Sequence, residues 1–290
     1  MASGSHLSRT GPLGLAPGVQ LWSVREELKR NPEETLRQLA AIGYREVELF
    51  ETPKSAREFR KNVEAAGLTC VSGHFELKDL KNPTVIAAAQ ELGLTYMILV
   101  FPALQSWEAQ SVDANFEQFI PRYEKISLSD YRWNADQLNR CGENLKRHGI
   151  RVGYHNHAID LKDLGGALGF DALIQNTDPK LVCFEMDCGH VIHAGHDPIA
   201  YLNKYPTRIE LLHLKDLVRG YHVSTTLDTE DKDTNAEIGA GCIDWQKLFE
   251  TAGRRGHVKH YFVEHEGKMA HPPLQALQIS YDYLQKLKAY

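Results

Sequence analysis

Long apolar runs are absent from this sequence. The longest, such as Met97 to Pro102, are far shorter than the roughly 20 residues that a membrane-spanning helix needs. No long block of like charge occurs either, and 33 Lys and Arg residues against 38 Asp and Glu residues give a net charge of -5. We therefore predict no membrane span and no basic surface for nucleic acid.

Cysteines are also few. There are five, they are scattered, and no CxxC pair occurs, so we expect a reducing, cytoplasmic environment and no disulfide framework. The first residues are rich in Gly, Ser and Pro and lack the apolar core of a secretion signal. We predict that residues 1–17 form a disordered or tag-like segment outside the fold.

The rest of the chain alternates between short β-rich segments and amphipathic helical stretches. We predict strands at Gly18–Val24, Glu46–Phe50, Thr69–His74, Tyr96–Val100, Arg151–His157, Leu181–Asp187, Ile209–Asp216 and His260–His265. Eight strands, each followed by a helical stretch, predict an α/β protein with a single-domain (β/α)8 TIM barrel over residues 18–290, close to the usual size of about 250 residues. No GxGxxG follows the first strand, which disfavours an open dinucleotide-binding sheet.

Polar residues gather where the predicted strands end. In a barrel these ends meet at one face, which carries the active site. The polar residues are Gln20, Glu48, His74, His155, His157, Glu185, Asp187, His190, His213, Lys215, Glu264 and Glu266. Unpaired buried charge is costly, so a shared cation is a natural explanation. Carboxylates combined with imidazoles suit Mn, Co or Zn better than Mg or Ca.

Simpler explanations exist for single members of this group. Asp187 would cap the turn that contains His190, and Glu264 would pair with Lys215 as a structural ion pair. Spacing does not choose between His155 and His157, because a period of two places both on one strand face. We expect six other histidines to be exposed or to lie behind the site, namely His193, His196, His222, His257, His260 and His271. His265 is next to Glu264 but falls on the opposite strand face.

Seven motifs in order resemble the xylose-isomerase-like barrels, a group of sugar-phosphate isomerases and epimerases that includes inosose dehydratases and, more distantly, endonuclease IV. The motifs are Gly18-Val-Gln-Leu-Trp-Ser-Val-Arg, Gly43-Tyr-Arg-Glu-Val-Glu-Leu, Gly153-Tyr-His-Asn-His, Met186-Asp-Cys-Gly-His, Leu212-His-Leu-Lys-Asp, Gly239-Ala-Gly-Cys-Ile-Asp-Trp and Phe262-Val-Glu-His-Glu. The resemblance covers nearly the whole chain from Gly18.

The resemblance implies one divalent metal ion held by Asp187, His213 and Glu264, with His155 at the place of the usual fifth-strand carboxylate. A subgroup with Tyr-His-Asn-His at this strand is similar to lyases that act on 3-keto-glycosides. The implied reaction is proton abstraction next to a sugar carbonyl through an enediolate.

The chemistry of this reaction suggests roles for individual residues, which we state as hypotheses. Glu264 is a ligand and possible base, His155 a ligand or acid/base, and His190 and Lys215 are donors to hydroxyls or to the oxyanion. The expected substrate-binding residues are Gln20, Trp22, Glu48, His74, His157, His190 and Lys215, with Phe50 or Trp107 as further stacking candidates.

The sequence leaves the reaction type open. Isomerisation or epimerisation of a sugar is the leading hypothesis, and β-elimination from a 3-keto-glycoside is the alternative. His155 at the place of the second epimerase carboxylate disfavours epimerisation and favours a lyase or an isomerase. Endonuclease IV-like phosphodiester cleavage and a non-catalytic sugar-binding barrel are less well supported. We expect a small carbohydrate as substrate, no nucleic acid or membrane partner, and a homodimer or homotetramer.

Overall fold

The computed structural model describes residues 10–106, 123–226 and 234–288, and in these residues eight parallel strands close into a barrel. The barrel strands are β1 Gly18–Gln20, β2 Glu46–Leu49, β3 Thr69–Phe75, β4 Tyr96–Leu99, β5 Arg151–His155, β6 Val182–Asp187, β7 Ile209–Leu214 and β10 His260–Val263. Their order around the barrel is β1-β10-β7-β6-β5-β4-β3-β2, so the TIM barrel prediction is confirmed. A small antiparallel pair, β8 Asp216–Leu217 and β9 Asn235–Ala236, follows β7.

Helices surround the barrel in the connections between strands. Their bounds are Arg25–Arg30, Pro32–Ile42, Ala56–Ala65, Leu77–Leu80, Pro83–Leu92, Leu128–Lys146, Gly169–Asn176, Cys188–His193, Pro198–Lys204, Trp245–Arg255 and Pro273–Leu284. Asn31 caps the second by accepting a hydrogen bond from the backbone N–H of Glu34, with Pro32 at the first helical position. No described helix has the length and apolar character needed to cross a bilayer.

Several strands end earlier than their polar tails predicted. A 3-10 helix at Leu21–Val24 replaces the predicted end of β1, and β5 ends at His155 instead of His157. The backbone N–H of His157 donates to the Asp160 side chain instead of to a neighbouring strand. Polar residues that find such partners leave the strand ladder, so they begin the loops at the barrel mouth.

The segment before β1 is partly folded. We expected residues 1–17 to be disordered or tag-like, but Pro12–Gly14 form a 3-10 turn in which Pro12 is buried. Gly11 lies against the ring of Tyr261, where a Cβ atom would overlap the phenol oxygen. The folded part therefore starts before the boundary placed at residue 18, because the chain packs across the end of the barrel before it enters β1.

The barrel interior is divided into an apolar and a polar half. Cys183, Leu211 and Phe262 are members of a small buried apolar cluster inside the barrel. Two residues further along the same strands stand Glu185, His213 and Glu264, all buried. Because alternate residues face the same side of a strand, the polar set lies on top of the apolar cluster, toward the carboxyl ends of the strands.

Candidate active site

Four buried residues from four barrel strands bring ligand-type atoms together at the mouth. They are His155 of β5, Asp187 of β6, His213 of β7 and Glu264, which follows β10, and one such atom from each lies within 4.8 Å of the others. We call these residues the upper set. All four residues of the upper set are at most 4% exposed, so the low dielectric constant of their surroundings strengthens every charge interaction between them.

Lys215 lies between the carboxylates of the upper set. Its Nζ is 3.0 Å from Asp187 Oδ2, 3.0 Å from Glu264 Oε2 and 2.8 Å from Glu266 Oε2. Burial alone would lower the pKa of this lysine, but Asp187 and Glu264 outweigh it and raise the pKa well above its usual range. The ion pair between Glu264 and Lys215, which the sequence offered as a structural explanation, is therefore present.

Asp187 serves two purposes with its two oxygens. Oδ1 accepts a hydrogen bond of 2.7 Å from the backbone N–H of His190, so the predicted capping role is also present. Oδ2 is buried and accepts no hydrogen bond within the described residues, although it is ion-paired with Lys215. The cap orients the carboxylate so that Oδ2 is left for the site.

His213 connects the upper set to a deeper layer. Its Nδ1 is 3.2 Å from Glu264 Oε2 and 4.0 Å from Asp187 Oδ2, while its Nε2 is 2.5 Å from Glu48 Oε2. Gln20 Nε2 also donates to Glu48 Oε2, at 2.9 Å. A carboxylate behind an imidazole fixes its orientation and tautomer, which is the usual support for a metal-binding histidine. Glu48 and Gln20 are fully buried in this supporting position.

His155 has a carboxylate behind it as well. Its Nδ1 lies 3.1 Å from Glu185 Oε2, and His74 Nε2 lies 3.0 Å from the same oxygen. Where related barrels are expected to have a carboxylate on β5, this protein has the imidazole of His155 with the β6 carboxylate of Glu185 in contact with it. Glu185 was noted only as part of a polar strand end. Its spacing of two from Asp187 places both side chains on the inward face of the strand, which was the available signal for a role in the site.

Burial and neighbouring charge divide the titratable groups into two classes. Burial holds the pKa values of His155, His157 and His190 well below the usual range. Burial also opposes charge on His213, but the carboxylates of Glu185, Glu48 and Glu264 outweigh it and raise its pKa. Neutral imidazoles at the rim therefore stand beside a charged layer beneath them.

In the charged layer, burial raises the pKa of Glu185 to about 7, with the charge of Glu48 adding to it. His74 experiences the opposite balance, because Glu48 and Glu185 outweigh burial and raise its pKa to about 9. Burial likewise opposes charge on Glu48, but His74 and His213 outweigh it and lower the pKa of Glu48. The layer therefore holds protons on its histidines at neutral pH.

The rim of the mouth carries the remaining predicted substrate-binding residues. His157 and His190 have ring centroids 4.8 Å apart, and Phe101 stacks on His157 at 4.0 Å. Trp22 is 37% exposed and makes an edge contact with Phe50, with their ring centroids 5.5 Å apart. Two connections that follow strands are unusually long, at residues 101–129 and 217–243. Trp107 and parts of both connections lie outside the described residues.

The predicted site residues divide by position. The structure brings together His155, His157, His190, Lys215 and the rest of the upper set, while it places Gln20, Glu48 and His74 below them. The substrate-binding role of these three deeper residues stays a prediction. Glu266, which contacts Lys215, is a further site residue that was noted only as part of a polar strand end.

Among the histidines expected outside the site, His260 pairs with Glu46 at 2.8 Å and His271 with Glu237 at 2.9 Å. His265 Nε2 is 3.0 Å from Ser280 Oγ, away from its neighbour Glu264. All three contacts lie away from the metal-ligand atoms of the upper set.

The upper set fits a divalent ion. Two carboxylates and two imidazoles are a donor set of the kind that binds Zn, Mn or Co, and the buried Asp187 Oδ2 has an unused acceptor. Lys215 supplies the only ammonium that the described residues place between these carboxylates. An ion held by both Asp187 and Glu264 would therefore displace the ammonium of Lys215 from its position between them.

The closed barrel with a buried carboxylate and histidine set at its mouth defines a class of TIM barrels that work at the carboxyl ends of their strands. The family model that matches this chain is described as "Xylose isomerase-like TIM barrel" and covers residues 36–287. The chain belongs to this family.

Curated relatives are similar over different lengths. An inosose dehydratase of Clostridium beijerinckii is 30% identical over 154 residues, which are 49% of this chain and 50% of that protein. One from Geobacillus thermodenitrificans is 26% identical over 252 residues, 81% of this chain and 82% of that protein. The first match thus spans only half the length of the relative.

Solved structures share the fold. A sugar phosphate isomerase/epimerase from Parabacteroides distasonis superimposes with a TM-score of 0.73 at 23% identity, covering 93% of this chain and 98% of the other. A 3-keto-D-glucoside 4-epimerase from E. coli gives a TM-score of 0.64 at 15% identity, covering 93% and 98%. At these identities the likeness shows the fold alone.

Proposed function

We propose that this protein is a divalent-metal-dependent lyase that removes a proton next to the carbonyl of a keto-sugar or keto-cyclitol and then expels a β-oxygen substituent. The observation that carries the proposal is the upper set, a buried donor group for one ion, with Lys215 and His190 in contact with each other beside it. The inosose dehydratase relatives support this reaction class.

A bound ion would be held by His155, Asp187, His213 and Glu264. It would supply Lewis-acid stabilisation of negative charge on oxygen, the main difficulty in forming an enolate. Mn, Co and Zn suit the mixed carboxylate and imidazole donors better than Mg.

His190 is the proposed acid/base. Because burial holds its pKa below the usual range, it is neutral, and it can accept the proton from the carbon next to the carbonyl once Lys215 donates to the substrate oxygen instead of to this imidazole. Its Nε2 lies 3.1 Å from Lys215 Nζ, so the ammonium that donates to the developing oxyanion and the base that removes the proton are already adjacent. The proton taken from carbon is then returned to the departing oxygen, which balances the elimination.

The uneven distribution of bases favours elimination over epimerisation. His155, His157 and His190 cluster with ligand-type atoms within 4.8 Å, whereas the carboxylate of Glu264 is tied to Lys215. The pKa of Glu264 is well below its usual range, because Lys215 and His213 outweigh the opposing effect of burial. Epimerisation uses a base on each face of one carbon, but a single imidazole on one face suffices for a syn elimination.

Isomerisation or epimerisation through the same enediolate is the second candidate. It is favoured by the position of Glu264, which follows β10. That strand is two strands away in the barrel from β6, which leads to His190, so the carboxylate could act on the opposite face of the substrate once Lys215 is displaced.

The reaction can be assigned by NMR in deuterated water with Mn-loaded protein and three substrate classes: keto-inositols, 3-keto-glycosides and ketoses. We expect loss of water or of an aglycone. Inversion of a centre with deuterium incorporation, and without any leaving group, would instead establish the second candidate.

The acid/base role is tested by His190→Gln, for which turnover is expected to fall about 10²–10⁴-fold. His222→Ala, at an exposed histidine, is the matched control and should keep full turnover. Unchanged turnover in His190→Gln would exclude His190 as the base.

We retain a homodimer or homotetramer as the expected assembly, to be measured by light scattering.

A further inference from the structure

A second group of ligand-type atoms lies directly beneath the upper set. It consists of His74, His155, Glu185 and His213, all buried, with one such atom from each within 4.8 Å of the others. We call these residues the deep set. It shares His155 and His213 with the upper set, and it replaces Asp187 and Glu264 by His74 and Glu185.

The distances in the deep set suit a common ion. His74 Nε2, His155 Nδ1 and His213 Nε2 lie 3.0, 3.1 and 3.3 Å from Glu185 Oε2. Ligand atoms bound about 2.0–2.2 Å from a tetrahedral ion are separated from each other by about 3.3–3.5 Å. Small side-chain movements would therefore turn this packing into a coordination shell.

A second observation concerns Glu185 itself. Its Oε1 is fully buried and has no hydrogen-bond partner among the described residues. The ion-pair partners found for its carboxylate in that part of the chain are all histidines, whereas the carboxylates of the upper set already hold the ammonium of Lys215. A cation can therefore enter the deep set without displacing a lysine, and it releases the protons held by His74 and His213 as it binds.

We propose that the deep set is a second, nitrogen-rich cation site that takes Zn²⁺, and that it competes with the upper set for a single ion. Three imidazoles and one carboxylate favour zinc, while Mn²⁺ prefers the more oxygen-rich upper set. A neutral imidazole gives its one lone pair to one ion at a time, so an ion in the deep set withdraws His155 and His213 from the upper set.

This arrangement makes zinc an inhibitor of the manganese-loaded protein. A deep-set ion is enclosed by side chains that are at most 8% exposed and lies away from the open mouth. The inhibition rests on the proposed function, but the binding of zinc in the deep set does not.

The test measures Zn²⁺ and Mn²⁺ binding by equilibrium dialysis with elemental analysis. It compares the wild type with an upper-set variant, Asp187→Asn with Glu264→Gln, and a deep-set variant, His74→Gln. We expect one zinc per wild-type chain. The upper-set variant should keep zinc affinity within about threefold and lose manganese, and the deep-set variant should keep manganese and lose about 10–100-fold in zinc affinity.

Co²⁺ absorption gives an independent readout, because four-coordinate Co²⁺ absorbs visible light much more strongly than six-coordinate Co²⁺. The strong bands should persist in the upper-set variant and disappear in the deep-set variant. Glu185→Gln, which keeps the side-chain shape, replaces His74→Gln if circular dichroism shows that the latter does not fold.

Two results would overturn the proposal. Two zinc ions bound to one wild-type chain would exclude competition for a single ion, and loss of zinc in the upper-set variant but not in the deep-set variant would exclude the deep site. The proposed function fails separately, through absence of turnover in a protein whose metal binding is as expected.

Discussion

Glu48 shows how a single side chain can organise the site without facing its mouth. It is fully buried, its Oε2 lies 2.5 Å from His213 Nε2, and its Oε1 accepts a hydrogen bond from Ser72 Oγ. With Nε2 engaged by Glu48, the Nδ1 atom of His213 faces Glu264 and Asp187. We therefore interpret Glu48 as a positioning residue for the metal-binding histidine.

Glu48→Gln is expected to weaken Mn²⁺ binding about 10–100-fold, because the amide no longer holds His213 through a charged hydrogen bond. Direct titration of the metal measures the effect. Ser72→Ala is the matched control, since it removes a partner of Glu48 but leaves the contact with His213. Equal affinities for wild type and Glu48→Gln would mean that packing alone orients the imidazole.

At the level of elements, Asp216 organises the segment between β7 and the helix Trp245–Arg255. Its buried carboxylate accepts hydrogen bonds from the backbone N–H groups of Gly239, Gly241, Cys242 and Ile243 and from the indole of Trp245. This segment begins just after Lys215, so Asp216 connects the site to the outer shell of the barrel.

Replacing Asp216 with Ala would leave several buried donors without an acceptor, at about 1–3 kcal/mol for each that water does not reach. We expect a loss of at least about 3 kcal/mol in the free energy of unfolding, measured with urea. Asp244→Ala, at the exposed cap of the following helix, should cost only about 1 kcal/mol. Similar losses in the two variants would contradict the organising role of Asp216.

Asp160 links the turn after β5 to the helix Leu128–Lys146. It accepts hydrogen bonds from Tyr131 Oη and from the backbone N–H of His157, and burial raises its pKa to about 6. The folded state then binds a proton more tightly than the unfolded state. Its contribution to stability is fully present below about pH 4 and is lost as the pH rises through 6.

Asp160→Asn should remove this contribution to the pH dependence. Between pH 5 and pH 8 the stability of the wild type relative to the variant is expected to fall by about 1.4 kcal/mol. Urea unfolding of both proteins across this range measures the difference, in which the titration of other groups cancels. Parallel profiles would show that Asp160 does not change its protonation state in this range.

The polar tails of the strands explain what the sequence could and could not predict. The alternation of strands and helices identified the barrel. Asp187, His213 and Glu264 stood out as polar residues at the ends of buried runs, and the family resemblance then marked them as metal ligands. Glu185 was noted at a strand end but given no role, because only its proximity to His74 and His155 from other strands shows its purpose. The end of β5 was misplaced by two residues, since the contact between His157 and Asp160 is a local alternative to strand pairing.

At the scale of the whole molecule, the two ends of the barrel hold charge for different reasons. Near the amino ends of the strands, Glu210 is buried and its oxygens lie 2.9 Å from Arg151 Nη2 and 2.9 Å from Lys259 Nζ, with Tyr96 Oη at 3.2 Å. Each carboxylate oxygen there has a basic partner. At the carboxyl ends, Asp187 and Glu264 share the single ammonium of Lys215, so a divalent ion that replaces this ammonium can be held by both carboxylates.

We therefore expect Mn²⁺ to stabilise the folded protein by binding at the carboxyl ends of the strands and not near Glu210 at their amino ends. Mn²⁺ at about 100 times its Kd is expected to add about 2.7 kcal/mol, which for a chain of this size raises Tm by roughly 5–10 °C in thermal denaturation. Asp187→Asn should remove most of this shift, because the upper set loses a charged ligand. Glu210→Gln should lower Tm of the metal-free protein by roughly 4–8 °C, since it removes the buried carboxylate that pairs with Arg151 and Lys259, yet it should keep the full Mn²⁺ shift. If the Mn²⁺-induced rise in Tm became smaller by the same amount in both variants, manganese would not act specifically at the upper set. A shift that survives only in Glu210→Gln assigns the stabilisation to the mouth of the barrel.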